Sequence, residues 1–547
     1  MTIVGRLALM GVIMAASGCA QAADTVLLGG KVWTGTGATG TAVAIEDGRI
    51  TAVGDDAAIT RMIGPRTERI ALDGRLVVPG LFDAHTHFIS GGFELAGVQL
   101  RDAATPQEFI QRIGAFARLH PEGWVQGGTW DHELWGGELP RHEWIDSVTA
   151  ETPVFVSRLD GHMGLANARA LALAGITAET RDPPGGTIVR DAAGRPTGIL
   201  KDEAQNLIYA VMPDPTEGEL DRALDAAARF AVEHGVTHVT DMGTWAGLET
   251  YRRAAAAGRL PLRIYAAVPI ATWRRLVEFV ARHGRGDDRL AWGAVKGFVD
   301  GSLGSTTAWF YQPYADDPTT SGLTVTDTAD LRAEILRADS AGLQVIVHAI
   351  GDRANDWLLG VYAEARARRP GADPRFRTEH AQHLTPQAIA RFGPDGVIPS
   401  MQPYHAIDDG RWAVKRIGLE RLKGTYAFRS LLDAGARLAF GSDWTVAPLD
   451  PLSGIYAAAT RRTLDGANPD GWLPEQKISV EEALRAYTSG AAYACFRERT
   501  LGTIEVGKYA DLVVLGEDIL TIDPVDIEHV SVDLTMVGGT VVFRRKS

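Results

Sequence analysis

The stretch VVPGLFDAHTHF, residues 77–88, decides how the whole chain is read. A strand-type apolar run, Leu76, Val77 and Val78 and then Leu81 and Phe82 after a Pro-Gly step, delivers His85 and His87 two residues apart. Side chains at i and i+2 of an extended segment share a face, so both imidazoles can address one object. A metal ion suits such a pair. Two histidines alone are commonly no more than polar residues at a strand end, so the remaining ligands must come from elsewhere in the chain.

Seven more strand-like runs follow, at residues 235–242 (GVTHVTDM), 262–268 (LRIYAAV), 294–301 (AVKGFVDG), 343–350 (LQVIVHAI), 375–381 (RFRTEHA), 397–403 (VIPSMQP) and 437–444 (RLAFGSDW). Amphipathic helical stretches fill the gaps, among them residues 220–234, 330–342 and 427–436. Eight such β/α units predict an α/β fold, a TIM-type (β/α)8 barrel over residues 79–498 whose strand C-termini form the active face. The interval between the first two strands is about three times an ordinary crossover. Residues from about 99 to 215, rich in Trp, Gly and Pro at GWVQGGTWDHELWGGELP, are therefore expected to form an inserted subdomain capping the barrel mouth.

Both ends of the chain carry short strand-like runs broken by Gly and Asp, which predicts one small β-sandwich built from residues 24–78 and 499–547. Two glycine patterns there mislead. Gly35 to Gly40 matches G-x-G-x-x-G, but strand-like sequence follows where a dinucleotide fold needs a helix. Gly502 to Lys508 has phosphate-loop spacing, but Tyr509 stands where Ser or Thr must hold magnesium. Both are read as turns.

The strand ends supply the missing ligands. The first ends in His85 and His87, the fourth carries Lys296, the fifth His348, the sixth His380 and the eighth Asp443. Each has an ordinary reading alone, such as a rim histidine, a lysine paired with Asp300, or a helix-capping aspartate. Six on one face of one barrel make a metal site.

Composition narrows the class. The chain has 547 residues, 45% of them hydrophobic, and a net charge of −13 with no long basic run, which argues against nucleic acid or an anionic membrane as partner. With only two cysteines there is neither a disulfide framework nor a Cys-rich zinc site. The absence of a G-x-S-x-G elbow disfavours a serine hydrolase. Residues 1–23 have one Arg, an apolar run and small residues, the layout of a signal peptide for export to the periplasm or outer envelope. Ala16-Ser17-Gly18-Cys19 resembles a lipobox, which would make the protein a lipoprotein anchored at Cys19. Ala20-Gln21-Ala22 equally fits plain cleavage.

VVPGLFDAHTHF, RLDGHMGLANARAL, KGFVDGSLGSTTAWF, HAIGDRAND, EHAQHL, GSDWTVAPLDP and the closing GTIEVGKYADLVVL together resemble the amidohydrolase superfamily, in its YtcJ-like branch, amidohydrolase family 3, which includes N-substituted formamide deformylases. The resemblance implies a hydrolase of non-peptide carbon–nitrogen bonds using one or two divalent ions, zinc by preference, with iron or manganese as alternatives. His85, His87 and Asp443 would hold an inner ion, His348 and His380 an outer one, and Lys296, as N6-carboxylysine, would bridge them. Activated water would attack a polarised carbonyl while Asp443 carries the proton to the leaving nitrogen. His162 and His405 are further candidates for gripping substrate or its oxyanion. Asp300 is expected to support the site, His238 and Asp241 to pack or support, and Trp124, Trp130 and Trp135 to be mostly core. The rivals are an ester, lactone or cyclic imide as the bond cleaved, and a catalytically silent binding protein. A small-molecule substrate is expected, and a homodimer is plausible.

Overall fold

The computed structural model describes residues 22–149 and 151–546. Nearly all of the expected leader, including Cys19, lies outside the described residues.

Eight parallel strands form the central sheet in chain order: β1 (Leu81–Thr86), β2 (Val236–Met242), β3 (Arg263–Pro269), β4 (Leu290–Phe298), β5 (Gln344–Ala349), β6 (Arg377–His380), β7 (Ile398–Met401) and β8 (Ala439–Phe440). Every residue of β1, β2 and β5 is buried, as strands covered on both faces require. The expected eighth strand shrinks to two residues, and the backbone reaches φ 58° at Asp443 just beyond it. Barrel closure is made just beyond it, where Asp443 N–H donates to His85 O and His87 N–H donates to Trp444 O, both at 2.7 Å. Gly441 permits this approach, since a Cβ there would lie 2.5 Å from both Asp83 Oδ1 and His85 N.

Alanines keep the barrel interior narrow. Ala84, Ala267, Ala291, Ala294 and Ala439 pack with Phe82, Tyr265 and Ile346, and the helix Ala491–Ala494 plugs the end opposite the strand C-termini. Gln344, the first residue of β5, fixes that plug by donating to Ala494 O at 2.8 Å.

The opening run of residues 76–88 is two strands rather than one. Leu76–Pro79 belongs to a different sheet, and the chain turns into the barrel at Gly80, where a Cβ would meet Thr237 Oγ1 at 2.2 Å. That other sheet pairs Lys31–Trp33, Thr39–Gly40 and Leu76–Pro79 with Leu512–Leu515, Val532–Val537 and Thr540–Arg544. A four-stranded sheet of residues 23–71 faces it across a core that includes Leu27, Val43, Ile45, Val77, Leu512 and Met536. So one of the two sandwich sheets is drawn from both termini and the other from the N-terminal part alone. Neither glycine pattern is followed by a helix.

Between β1 and β2 the chain builds a six-stranded sheet, running from Val98–Gln99 to Pro196–Asp202, with its own core around Phe109, Trp130, Val156 and Leu165. The helix Glu217–Glu233 then returns to the barrel. A reciprocal cap between Thr216 and Glu219 starts it, and its buried face is Leu220, Ala223, Leu224, Ala227, Ala228, Ala231 and Val232. This helix crosses the helix Phe88–Glu94 so closely that a Cβ on Gly92 would lie 2.0 Å from Ala223 O. Gly92→Ala is therefore expected to destabilise the fold by about 1–3 kcal/mol, the usual cost of overpacking. A lower thermal midpoint by circular dichroism checks it, and an unchanged midpoint would contradict this contact.

Candidate active site

All the strand-end candidates meet on one face of the barrel. His85 lies at the end of β1, fully buried, and His87 follows it half-buried. Asp443 Oδ1 approaches both, 3.4 Å from His85 Nε2 and 3.3 Å from His87 Nε2. That oxygen has no hydrogen-bond partner among the described residues. The ligand-type atoms of His85, His87 and Asp443 all lie within 4.8 Å of one another, and so do those of His380, His405 and Asp443. The second compact group thus contains His405 where the resemblance implied His348. His348 remains close, with its ring centre 4.5 Å from that of His380.

Three of these imidazoles are aimed by their opposite nitrogen. His85 Nδ1 meets Glu379 Oε2 at 2.5 Å, His348 Nε2 meets Gly301 O at 3.0 Å, and His380 Nδ1 meets Gln402 Oε1 at 2.8 Å. Each acceptor fixes the proton on the nitrogen it faces and leaves the other nitrogen as a lone-pair donor. Burial, reinforced by neighbouring positive charge, pushes His85, His348 and His380 well below the usual imidazole range. They are neutral at physiological pH, the form that binds a cation.

Burial would raise Asp443, but the imidazoles of His85 and His87 outweigh it and hold the carboxyl at about 2. Burial brings Lys296 down to about 8, against the pull of Glu379 and Asp443. Its Nζ stands 3.3 Å from His85 Nε2 and 4.6 Å from the Phe298 ring centre. Among the described residues it makes no ion pair, with Asp300 or any other acid. Asp300 instead accepts the backbone N–H groups of Trp309, Ile350 and Gly351 at 2.7–3.0 Å.

The insertion contributes to the same place. His162 Nδ1 is 2.6 Å from Asp202 Oδ1, and its ring centre is 5.1 Å from that of His348. Burial alone would lower His162, but the bond to Asp202 outweighs it and the pKa is raised. His405 lies over His380, ring centres 6.3 Å apart and nearly parallel, and burial lowers its pKa. His162, His348, His380, His405 and Asp443 share a cavity of about 40 Å³. The other expectations fall outside it. His238 stacks on Phe82 inside the barrel, and Asp241 accepts from Phe88 N–H and the Tyr251 hydroxyl, both at 2.8 Å. Trp130 is wholly buried in the core of the insertion, while Trp124 and Trp135 pack partly buried against its clusters.

Several supporting residues were not foreseen. Arg377 and Glu379 form a fully buried pair, with Arg377 Nε 2.8 Å from Glu379 Oε1, and Arg377 also donates to Ala84 O at 2.6 Å. Their i, i+2 spacing was the available signal, since it puts both on the face that meets β1 across the barrel. Strict alternation would then send His380 the other way. It does not, because His380 has φ 72° and breaks the strand geometry at that residue. Asp443, with φ 58°, is re-aimed in the same manner. Positive φ in side-chain-bearing residues costs of order 1–3 kcal/mol and concentrates at functional sites.

Over residues 68–543 the sequence matches the amidohydrolase family. The chain belongs to that family. Protein LONG AFTER FAR-RED 3 of Arabidopsis thaliana is 40% identical over 537 residues, spanning 95% of this chain and 92% of that protein. The N-substituted formamide deformylase of Arthrobacter pascens is 32% identical, spanning 92% and 95%. Among solved structures, an uncharacterized metal-dependent hydrolase from Pyrococcus horikoshii OT3 superposes with a TM-score of 0.75 at 28% identity, covering 91% of this chain and 99% of that one. This amidohydrolase is thus an enzyme with a TIM-type barrel and an additional β domain, a hydrolase of carbon–nitrogen bonds other than peptide bonds.

Proposed function

We propose that this amidohydrolase cleaves a formamide or simple amide, with a divalent cation held by His85, His87 and Asp443 and a second position offered by His380 with His348 or His405. The observation that carries the reading is the unpartnered Asp443 Oδ1 between two imidazole nitrogens at 3.3–3.4 Å. An ionised, buried carboxylate oxygen lacking a donor is costly unless a cation satisfies it. The donor set of neutral imidazoles and carboxylate suits zinc. A divalent cation there supplies Lewis acidity, which polarises a carbonyl and acidifies water.

The chain's own groups do the rest. Asp443, ionised at neutral pH, takes the proton of the attacking water and passes it to the leaving nitrogen. His162, held by Asp202 through Nδ1 and with its pKa raised by that bond, is placed to donate to the carbonyl oxygen as negative charge grows on it. Glu379 keeps His85 in one tautomer and one orientation. The insertion excludes solvent from the cavity, which strengthens each of these interactions. At about 40 Å³ the cavity holds little more than a water or two.

Lys296 is proposed to be carboxylated. As an ammonium it would repel the cations its neighbours collect, whereas a carbamate is an anionic donor with two oxygens. A pKa of about 8 makes the neutral amine required for that reaction accessible. Lys296→Ala is expected to lose the more weakly held metal and most activity, with partial recovery in added short carboxylates. Elemental analysis and rate measurements with and without propionate check this, and a variant keeping full metal and full rate would contradict it.

Export through the leader and lipidation at Cys19 belong to the same proposal, and fractionation of native cells against a Cys19→Ala strain tests them. A panel of formamides, N-acyl amines, lactones, esters and cyclic imides tests the bond type. Preferential turnover of the formamides and amides is the expected outcome; activity confined to esters or lactones would overturn it.

A further inference from the structure

Buried hydrogen-bond donors without a partner among the described residues line the hydrolytic cavity, and this bears on which substrates it takes. Arg158 from the insertion, and His405 and Trp412 from the segment after β7, line it as well. Arg158 Nη2, Trp412 Nε1 and His405 Nε2 are all buried, and none has a hydrogen-bond partner among the described residues. Arg158 and Trp412 are neighbours, with the Arg158 guanidinium carbon 5.9 Å from the centre of the Trp412 ring. Arg158 is 1% exposed and Trp412 is 6% exposed, so neither donor turns outward to bulk solvent.

Apart from Asp443, the acidic groups lining the cavity are already engaged. Asp160 accepts from Arg158 Nη1 at 2.7 Å and from the hydroxyls of Ser302 and Ser305 at 2.5 and 3.0 Å. Burial would raise it, but Arg158 and His162 hold it down at about 2. Asp408 is bound by Arg411 and, at 3.4 Å, by Arg101. Asp409 accepts from the Tyr426 hydroxyl at 2.6 Å and from Gln382 Nε2 at 2.7 Å. Arg158 Nη2 stands 3.6 Å from Asp131 Oδ1, too far for a hydrogen bond. The guanidinium charge is therefore balanced by Asp160 and Asp131, while one of its N–H edges stays uncommitted.

Leaving a guanidinium N–H and an indole N–H buried without acceptors is costly, and the structure retains both in one cavity. We infer that Arg158 and Trp412 are specificity-determining residues that receive an oxygen acceptor at the non-scissile end of the substrate. The preferred substrates are then small N-formyl or N-acyl compounds whose amine portion carries a carboxylate or carbonyl oxygen, as in N-acylated amino acids, rather than N-acylated hydrocarbon amines. A site built around donors rejects an analogue lacking the acceptor, because its buried groups stay unpaired. This rests on reading the cavity as the hydrolytic site, and the test separates the two.

Three compounds of similar size serve as probes: N-formylalanine, N-formylalaninamide and N-isopropylformamide. With metal-replete wild-type enzyme, kcat/KM is expected to be about 10–100-fold higher for the two acceptor-bearing compounds than for the third. A preference of the acid over its amide identifies a carboxylate as the acceptor, and equal rates identify a carbonyl; either supports the inference. Trp412→Phe keeps the ring and removes the donor. It is expected to lower kcat/KM for the acceptor-bearing pair about tenfold more than for N-isopropylformamide, so that the preference between them falls by that factor. Arg158→Lys, which keeps the charge beside Asp160, is expected to shift the same ratio in the same direction. If no formamide is hydrolysed, the functional reading fails but the inference is still decided by calorimetric binding of N-acetylalanine and N-isopropylacetamide to the metal-replete protein. Tighter binding of the former, weakened by Trp412→Phe, supports it. Indifference of the wild type to the acceptor, or equal loss for all compounds in Trp412→Phe, overturns it and means that water alone satisfies both donors.

Discussion

Replacing His85 and His87 together by alanine is expected to strip bound metal and reduce hydrolysis to background. Both imidazoles come from one strand end, and Asp443 Oδ1 sits 3.3–3.4 Å from each, so the double change removes two of three donors from one point. The other compact ligand group, His380, His405 and Asp443, shares only Asp443 with this point. Lys296, whose Nζ stands 3.3 Å from His85 Nε2, offers an ammonium unless carboxylated. Loss of fold is not expected, because the barrel closes here through backbone bonds, His87 N–H to Trp444 O and Asp443 N–H to His85 O, that alanine preserves. Circular dichroism should therefore remain that of the parent while metal content falls, and full metal occupancy in the double variant would remove the assignment of this centre.

Asp443→Asn is expected to lower kcat by about 10²–10⁴-fold, the usual range for losing a positioned general acid–base. The parent carboxylate, held at about 2, is ionised throughout the neutral range and ready to accept a proton. An amide of the same shape cannot accept it. Because the loss concerns the transition state rather than uniform binding, KM should change much less than kcat. Backbone geometry favours the test, since Asn tolerates the φ of 58° found at this position better than most residues do. Near-parental turnover would show that Asp443 is structural.

The barrel was legible because its strands obey a simple rule: parallel strands buried on both faces read as short apolar runs separated by amphipathic helices. The convergence of the candidate residues was legible for a related reason. A barrel gathers its strand ends, so His85, Lys296, His348, His380 and Asp443, scattered through the sequence, had to converge. Departures from regular geometry were hidden. The positive φ at His380 and Asp443 and the two-residue β8 depend on closure against β1 through Gly441, a contact between segments more than three hundred residues apart. So do partners set by side-chain reach across the barrel, such as Glu379 on His85 and Gln402 on His380. Within the insertion, His162 was visible as part of a short DGH motif, but its proximity to His348 and its bond to Asp202 arise only from the six-stranded sheet, which no local periodicity announces.

Metal dependence is tested most directly by removing the metal and adding it back. Protein dialysed against a chelator until elemental analysis finds less than a tenth of an equivalent should hydrolyse none of the formamide panel, and stepwise zinc should restore activity that saturates at one or two equivalents per chain. Undiminished hydrolysis by the verified metal-free protein would contradict a metal centre at His85, His87 and Asp443.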